Sequence, residues 1–310
     1  MCRTSLGTTE QFQRKAIIVV GVVAAFLFLI NFRLTSDFPL LFNCFGQTSV
    51  KWMPFSFALR KPLKTHYGYI NMRTQEPLQL NCDLCAIISN SGQMAEQSAG
   101  FEIDQASCIW RMNNAPTQGY EEDVGKRTTV RVVSHTTVPL LVRNPEYFFK
   151  VTNSTIYVIW GPYRNMRKDG NGFVYNLLKK TVESYSEAQI YVTTEERMNY
   201  CDDVFKEETG KDRIQSGSYL STGWFTLILA MDACCKIRVY GMINDTYCKS
   251  EGFRKVPYHY YEPGRYECEE YFLHENTPHG AHRFITEKKV FAGWAKKHPI
   301  TFTHPNWTLS

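Results

Sequence analysis

The chain has 310 residues, of which 44% are hydrophobic and 21% charged, and its formal net charge is +5. That supplies enough apolar residue for one large core. No basic block is dense enough for nucleic acid, which the composition excludes as a partner, although a modest positive balance suits an anionic ligand.

From the N-terminus, the first feature is an unbroken apolar run from Ala16 to Ile30. Lys15 and Arg33 bracket about 17 residues, the lower limit for a helix that spans a bilayer. The alternative is a cleaved signal peptide, but Asn31, Phe32, Arg33 and Leu34 follow and offer no small-residue cleavage site. A signal-anchor over 16–32 is expected, after a cytoplasmic tail over 1–15. Arg3, Arg14 and Lys15 precede the span and only Arg33 closely follows it, which leaves the body of the chain in the lumen. So short a span suits a thin early-secretory membrane. Residues 33–75 show no sustained period and mix Pro39, Pro54 and Pro62 with aromatics, so they read as a stem before a luminal domain over 76–310.

The same compartment explains two further features. Sequons occur at Asn153, Asn244 and Asn306. The chain carries 10 cysteines, which in an oxidising lumen read as disulfides. Cys82-x-x-Cys85 also has a zinc or redox spacing, but the one other close pair, Cys234-Cys235, has no spacer and completes no zinc ribbon. Ten cysteines less Cys2 of the tail leave nine in the lumen, so at least one is free or intermolecular.

Beyond Cys82 the pattern changes to short β-branched apolar runs: Cys85–Ser89, Cys108–Met112, Val130–Ser134, Thr155–Trp160, Ile190–Thr193 and Ile237–Tyr240. Helical patterns lie between them. Gly172–Tyr185 has Phe173, Leu177, Leu178 and Val182 on one face, and Trp224–Ala233 is apolar almost all round. Alternation of this kind predicts an α/β domain with a mainly parallel sheet, whose ligands bind beyond the carboxyl ends of the strands.

The loops at those ends hold the candidates. Ser89-Asn90-Ser91-Gly92 follows the first run, where small residues let backbone N–H groups approach a ligand; an ordinary turn has the same composition. Ser221-Thr222-Gly223 enters the apolar helix, either as a simple N-cap or as an anion site at the positive end of the helix dipole. His259, His274, His279 and His282 cluster near the C-terminus. The spacing of His279 and His282 places both on one face of a helix, as metal ligation needs, but Gly280 and the lack of a well-spaced third ligand favour acid–base work. No D-x-D pair is present for a metal-bound diphosphate. Lys288, Lys289, Lys296 and Lys297 lie beside Phe291 and Trp294, either as a solvated basic helix face or as a surface that recognises a carboxylate.

At these residues the chain resembles the animal sialyltransferase family. The stretch from Cys85 to Arg131 is similar to its large motif, Ser221 to Met242 to its small motif, His259-Tyr260-Tyr261-Glu262 to its third motif, and His282-x-x-x-x-Glu287 to its very small motif, all in the family's order. The resemblance covers the whole chain and runs closest to the short-stem α-N-acetylgalactosaminide α-2,6-sialyltransferases. It implies a modified GT-A-like (Rossmann-like) fold, Golgi residence as a single-pass type II protein, CMP-sialic acid as donor, inversion, and no metal or other cofactor. It further implies a sialylated O-glycan or ganglioside acceptor, Neu5Ac-α2,3-Gal-β1,3-GalNAc, modified on GalNAc. By matching positions, Asn90, Asn113 and Ser134 contact the donor, with Ser221, Thr222 and Gly223 near its phosphate or sugar. Ser91 and Gly92 extend the first donor loop. His282 falls on the family's general base, His259 on a histidine that helps the phosphate leave, and Cys85 pairs with Cys234. A transferase of another linkage, an inactive sialic-acid-binding homologue and a luminal scaffold are the alternatives; the scaffold would need none of the four motifs, and the presence of His282 speaks against the inactive homologue.

Overall fold

Where short β-branched runs recur with helices between them, the computed structural model forms a nine-stranded sheet; it describes residues 62–151 and 154–308. The expected signal-anchor over 16–32, most of the stem and Asn153 lie outside those residues. Among the described residues no helix is long and apolar enough to cross a membrane.

The strands are β1 Lys64–Asn71, β2 Pro77–Leu80, β3 Cys82–Ile88, β4 Cys108–Met112, β5 Val130–Ser134, β6 Ile156–Trp160, β7 Gln189–Thr193, β8 Ser218–Tyr219, β9 Cys234–Tyr240, β10 Ala281–His282 and β11 Ile300–Thr303. The large sheet has the order β11-β9-β3-β4-β5-β6-β7-β1-β2. Every neighbouring pair from β11 to β7 is parallel, and the antiparallel hairpin β1–β2 closes one edge. The α/β class and the mainly parallel sheet therefore agree with the sequence. The sheet starts earlier than residue 76: β1 lies within the stretch 33–75 read as stem, and its Ile70 pairs with Val192 of β7. A run such as Lys64–Asn71, with Gly68 inside it and polar residues at both ends, lacks the largely apolar signal of the buried strands.

All five residues of β4 and of β5 are buried, as expected of strands covered on both faces. Five longer helices do much of that covering: α1 Phe173–Ser184, α2 Glu195–Thr209, α3 Thr222–Ala233, α4 Glu267–Asn276 and α5 Phe284–Lys297. Ile87, Trp110, Val132 and Val158 pack with Trp224, Leu227 and Ile228 of α3 and Phe291 of α5. On the opposite side, Val133, Ile159, Ile190 and Val192 pack with Val174, Leu178 and Val182 of α1. The helix that is apolar all round, α3, is buried along most of its length.

Disulfides tie this frame together. Cys85 joins Cys234 across 149 residues, the pairing the family resemblance implies, so β3 is bonded to the start of β9. Cys82 joins Cys108 and Cys248 joins Cys268. Cys82 and Cys85 thus belong to structural bridges. Cys235 is disulfide-bonded as well, and Cys201 is the free thiol among the described residues, with its pKa pushed up to about 12 by burial.

Helix α2 shows how local signals set an element's ends. Thr194 Oγ1 accepts the Arg197 N–H at 3.3 Å, and Gly210 ends the helix in the left-handed region at φ 68°. Thr194→Ala is expected to cost about 1 kcal/mol, a drop of a few degrees in a thermal melt. An unchanged melting temperature would show that the cap contributes nothing.

Candidate active site

The chain leaves β3 toward β4 on one side and places β9 on the other. Such a reversal of strand order opens a crevice at the carboxyl ends. One cleft there is lined by Asn90 and Ser91 after β3, Asn113 after β4, Met242 after β9, Ser221, Thr222 and Gly223 at the start of α3, and His259, His282, Glu287 and Lys288. Segments far apart in sequence thus meet at one crevice.

Asn113 stands in the left-handed region, φ 52°, which asparagine tolerates. Its Oδ1 accepts the Ser134 N–H at 3.0 Å, and its backbone carbonyl accepts from buried Arg131 at 2.8 Å. Ser134 does not line the cleft; its backbone fixes the Asn113 side chain, and its hydroxyl pairs with Thr136 at 2.9 Å. Gly92 is also absent from the lining. Its N–H donates to the Pro257 carbonyl at 3.0 Å, and a Cβ would lie 2.5 Å from that oxygen, so glycine is there to let two backbone segments touch. Asn90 does face the cleft, and its buried Oδ1 has no hydrogen-bond partner among the described residues.

At α3, Ser221 Oγ accepts the Trp224 N–H at 3.2 Å as an N-cap. Its own hydroxyl donates to Glu287 Oε2, and its backbone N–H donates to Glu287 Oε1 at 2.9 Å. Thr222 and Gly223 therefore sit at a fixed helix N-terminus, where N–H groups lack intrahelical acceptors and the dipole favours an anion. Glu287 is 1% exposed, and burial raises its carboxyl to about 7 against the pull of the two Ser221 hydrogen bonds.

His282 lies in β10, which pairs in parallel with β8, not on a helix with His279. The helical reading of that pair is thus corrected: Gly280, at φ 77°, breaks the segment between them, and exposed His279 packs against Gly217. His282 Nδ1 lies 2.8 Å from the Tyr219 carbonyl. A carbonyl only accepts, so Nδ1 carries the proton and Nε2 keeps its lone pair. His274 stacks on the ring at 5.5 Å and accepts the His282 N–H through Nδ1 at 3.3 Å. Burial holds His282 below the ordinary histidine value of 6.5, with His274 adding to the effect and the Tyr219 carbonyl opposing it. The base form therefore persists into mild acid. We expect the acid limb of a kcat/KM–pH profile to have its midpoint below 6.5; a midpoint above that value contradicts the assignment. His259 donates from Nδ1 to Glu262 Oε1 and stacks on Tyr261 at 5.1 Å.

The sequence did not reveal the Glu287–Ser221 contact or the stacking of His274 on His282, and it left Lys288 between a solvated face and a surface that recognises a carboxylate. The first two gather partners 66 and 8 residues apart, and only the H-x-x-x-x-E spacing hinted at either. Lys289, Lys296 and Lys297 are exposed as a solvated face requires, but Lys288 is buried, and so are Phe291 and Trp294. Among the described residues, the group of potential metal ligands consists of Cys82, Cys85 and Cys108, all engaged in disulfides.

A mainly parallel α/β sheet thus brings a capped helix N-terminus and a histidine whose Nδ1 is tied to a backbone carbonyl into one crevice. Residues 45–298 match the model of glycosyltransferase family 29 (sialyltransferase). The human protein named alpha-N-acetylgalactosaminide alpha-2,6-sialyltransferase 3 is 74% identical over 300 residues, 96% of this chain and 98% of that protein. Its rat counterpart of the same name is 71% identical over the same shares. The human alpha-N-acetyl-neuraminyl-2,3-beta-galactosyl-1,3-N-acetyl-galactosaminide alpha-2,6-sialyltransferase is 52% identical over 77% of this chain and 80% of its own length. A crystal structure of a mammalian sialyltransferase with Gal-beta-1-3GalNAc-ortho-nitrophenol shares 20% identity at a TM-score of 0.47, covering 71% of this chain and 69% of that one. The chain belongs to glycosyltransferase family 29 and is a sialyltransferase.

Proposed function

We propose that the chain transfers sialic acid from CMP-sialic acid, in α2,6 linkage, to the GalNAc of Neu5Ac-α2,3-Gal-β1,3-GalNAc on glycoproteins or gangliosides, at the luminal face of the Golgi membrane. The observation that carries the chemistry is the meeting of His282 Nε2 with the N-terminus of α3 in one cleft. His282 takes the proton of the acceptor hydroxyl as that oxygen attacks the anomeric carbon from the side opposite the departing CMP, which inverts the centre. Charge then grows on the CMP phosphate, where the N–H groups of Thr222 and Gly223 stabilise it and His259 assists. The bond to CMP breaks readily, so alignment of donor and acceptor supplies much of the rate. No metal has a part in this scheme.

The names of the relatives support the acceptor and linkage. The 74% identical human protein is named for α2,6 transfer to α-N-acetylgalactosaminide, and the 52% identical one for an acceptor already sialylated at position 3 of galactose. The test is to supply Gal-β1,3-GalNAc and its α2,3-sialylated form side by side with CMP-sialic acid and to read product linkage by mass spectrometry. The sialylated trisaccharide should be preferred, with the new sialic acid on the 6-hydroxyl of GalNAc. Equal use of the disaccharide, or an α2,3 product on galactose, rejects the acceptor assignment.

A further inference from the structure

Lys288 follows Glu287 on α5 and is 4% exposed, yet it lines the same cleft as Asn90, Ser221 and His282. Its ammonium lies over the Tyr271 ring, 4.2 Å from the centroid, with the Phe284 ring at 6.0 Å. Carboxylates stand near it, but their oxygens are engaged elsewhere. Glu287 accepts from Ser221 through both oxygens, and Glu267 accepts from Tyr271 at 2.9 Å and from Gln93 at 3.1 Å. Among the described residues no hydrogen bond or ion pair reaches the Lys288 nitrogen. With no oxygen of the described residues bonded to it and its residue lining the cleft, the ammonium is placed to donate to an anionic oxygen of a ligand bound there.

We propose that Lys288 binds an anionic oxygen of the sugar-nucleotide donor. The proposal rests on CMP-sialic acid being that donor, which offers two such groups, the phosphodiester and the sialic acid carboxylate. The Tyr271 and Phe284 rings hold the ammonium from one side, and its remaining side faces the cleft for the ligand. Burial lowers the ammonium to about 8, with Glu267, Glu287 and Glu275 opposing, so it stays charged at and below neutral pH. Lys288 is thus a donor-recognition residue distinct from the His282 base, and it differs from its exposed neighbour Lys289 by facing the cleft.

The test compares the full-length protein with Lys288→Met, Lys288→Gln and, as control, Lys289→Met. It measures KM for CMP-sialic acid, KM for the acceptor and the inhibition constant of CMP. Loss of one charge-assisted contact should raise donor KM on the order of 10- to 100-fold in both Lys288 variants, with acceptor KM little changed and Lys289→Met like wild type. If the inhibition constant of CMP is unmoved, the partner is the carboxylate; if it rises in parallel, the partner is the phosphate. Either pattern supports the proposal. Donor KM within twofold of wild type in a folded Lys288 variant, or an effect confined to acceptor KM, overturns it. A wild-type protein that does not turn over CMP-sialic acid overturns the donor assignment itself.

Discussion

His282→Ala should lower kcat by about 10²- to 10⁴-fold, the usual contribution of a positioned general base. The geometry makes a selective loss the expected result. The backbone N–H that His274 holds at 3.3 Å is retained in the variant, and β10 still pairs with β8. The ring is removed, and with it the lone pair at Nε2, the Nδ1–H bond to the Tyr219 carbonyl and the stacking on His274. Donor KM and the thermal midpoint should therefore stay near wild type. A variant that transfers at close to the wild-type rate would falsify the role of His282, whereas one that melts far earlier would show that the ring is needed for the fold.

The second large effect is expected at Glu287, a residue that touches no reacting atom in this scheme. Glu287→Ala removes the acceptor of both the Ser221 N–H and its hydroxyl at a position that is 1% exposed. Two orphaned donors cost about 2–4 kcal/mol of stability. The start of α3 also loses its anchor to α5, so kcat/KM should fall by roughly 10- to 100-fold. Glu287→Gln keeps an acceptor for the N–H and should lose much less. The pH dependence has a definite sign. The folded pKa, about 7, lies above the ordinary 4.5, so the folded protein holds this proton more tightly than the unfolded chain does. Glu287 therefore makes stability fall as pH rises from 4.5 to about 7, and the Gln variant should lack that slope. Chemical denaturation across this range, wild type against Gln, measures it. Parallel profiles contradict the buried, proton-binding environment described for Glu287.

The fold was legible in the sequence wherever burial was two-sided. The runs that became β4, β5 and β6 are largely apolar because α1, α3 and their neighbours cover both faces, and α3 is apolar along most of its length because most of it is buried. Edge and short elements were not legible. β1 carries a glycine and a polar fringe, while β8 and β10 are two residues each and exist only because they pair with one another. At the cleft, the segments with a characteristic local setting come together: the capped helix start, the loop after β3, and His282 in its spacing with Glu287. Contacts that depend on a partner elsewhere in the chain were not legible. Ser134 acts through its backbone on Asn113, Gly92 through its contact with Pro257, and Lys288 is turned inward from a helix whose other lysines face solvent.

The central claim is that the donor's phosphate binds at the start of α3, in the cleft that His282 faces. A crystal structure of the protein with CMP tests it most directly. Phosphate oxygens are expected within hydrogen-bond distance of the Thr222 and Gly223 N–H groups, with His259 beside them and His282 Nε2 open toward the acceptor side. CMP bound at another crevice, or in this cleft with its phosphate turned away from α3, would contradict it.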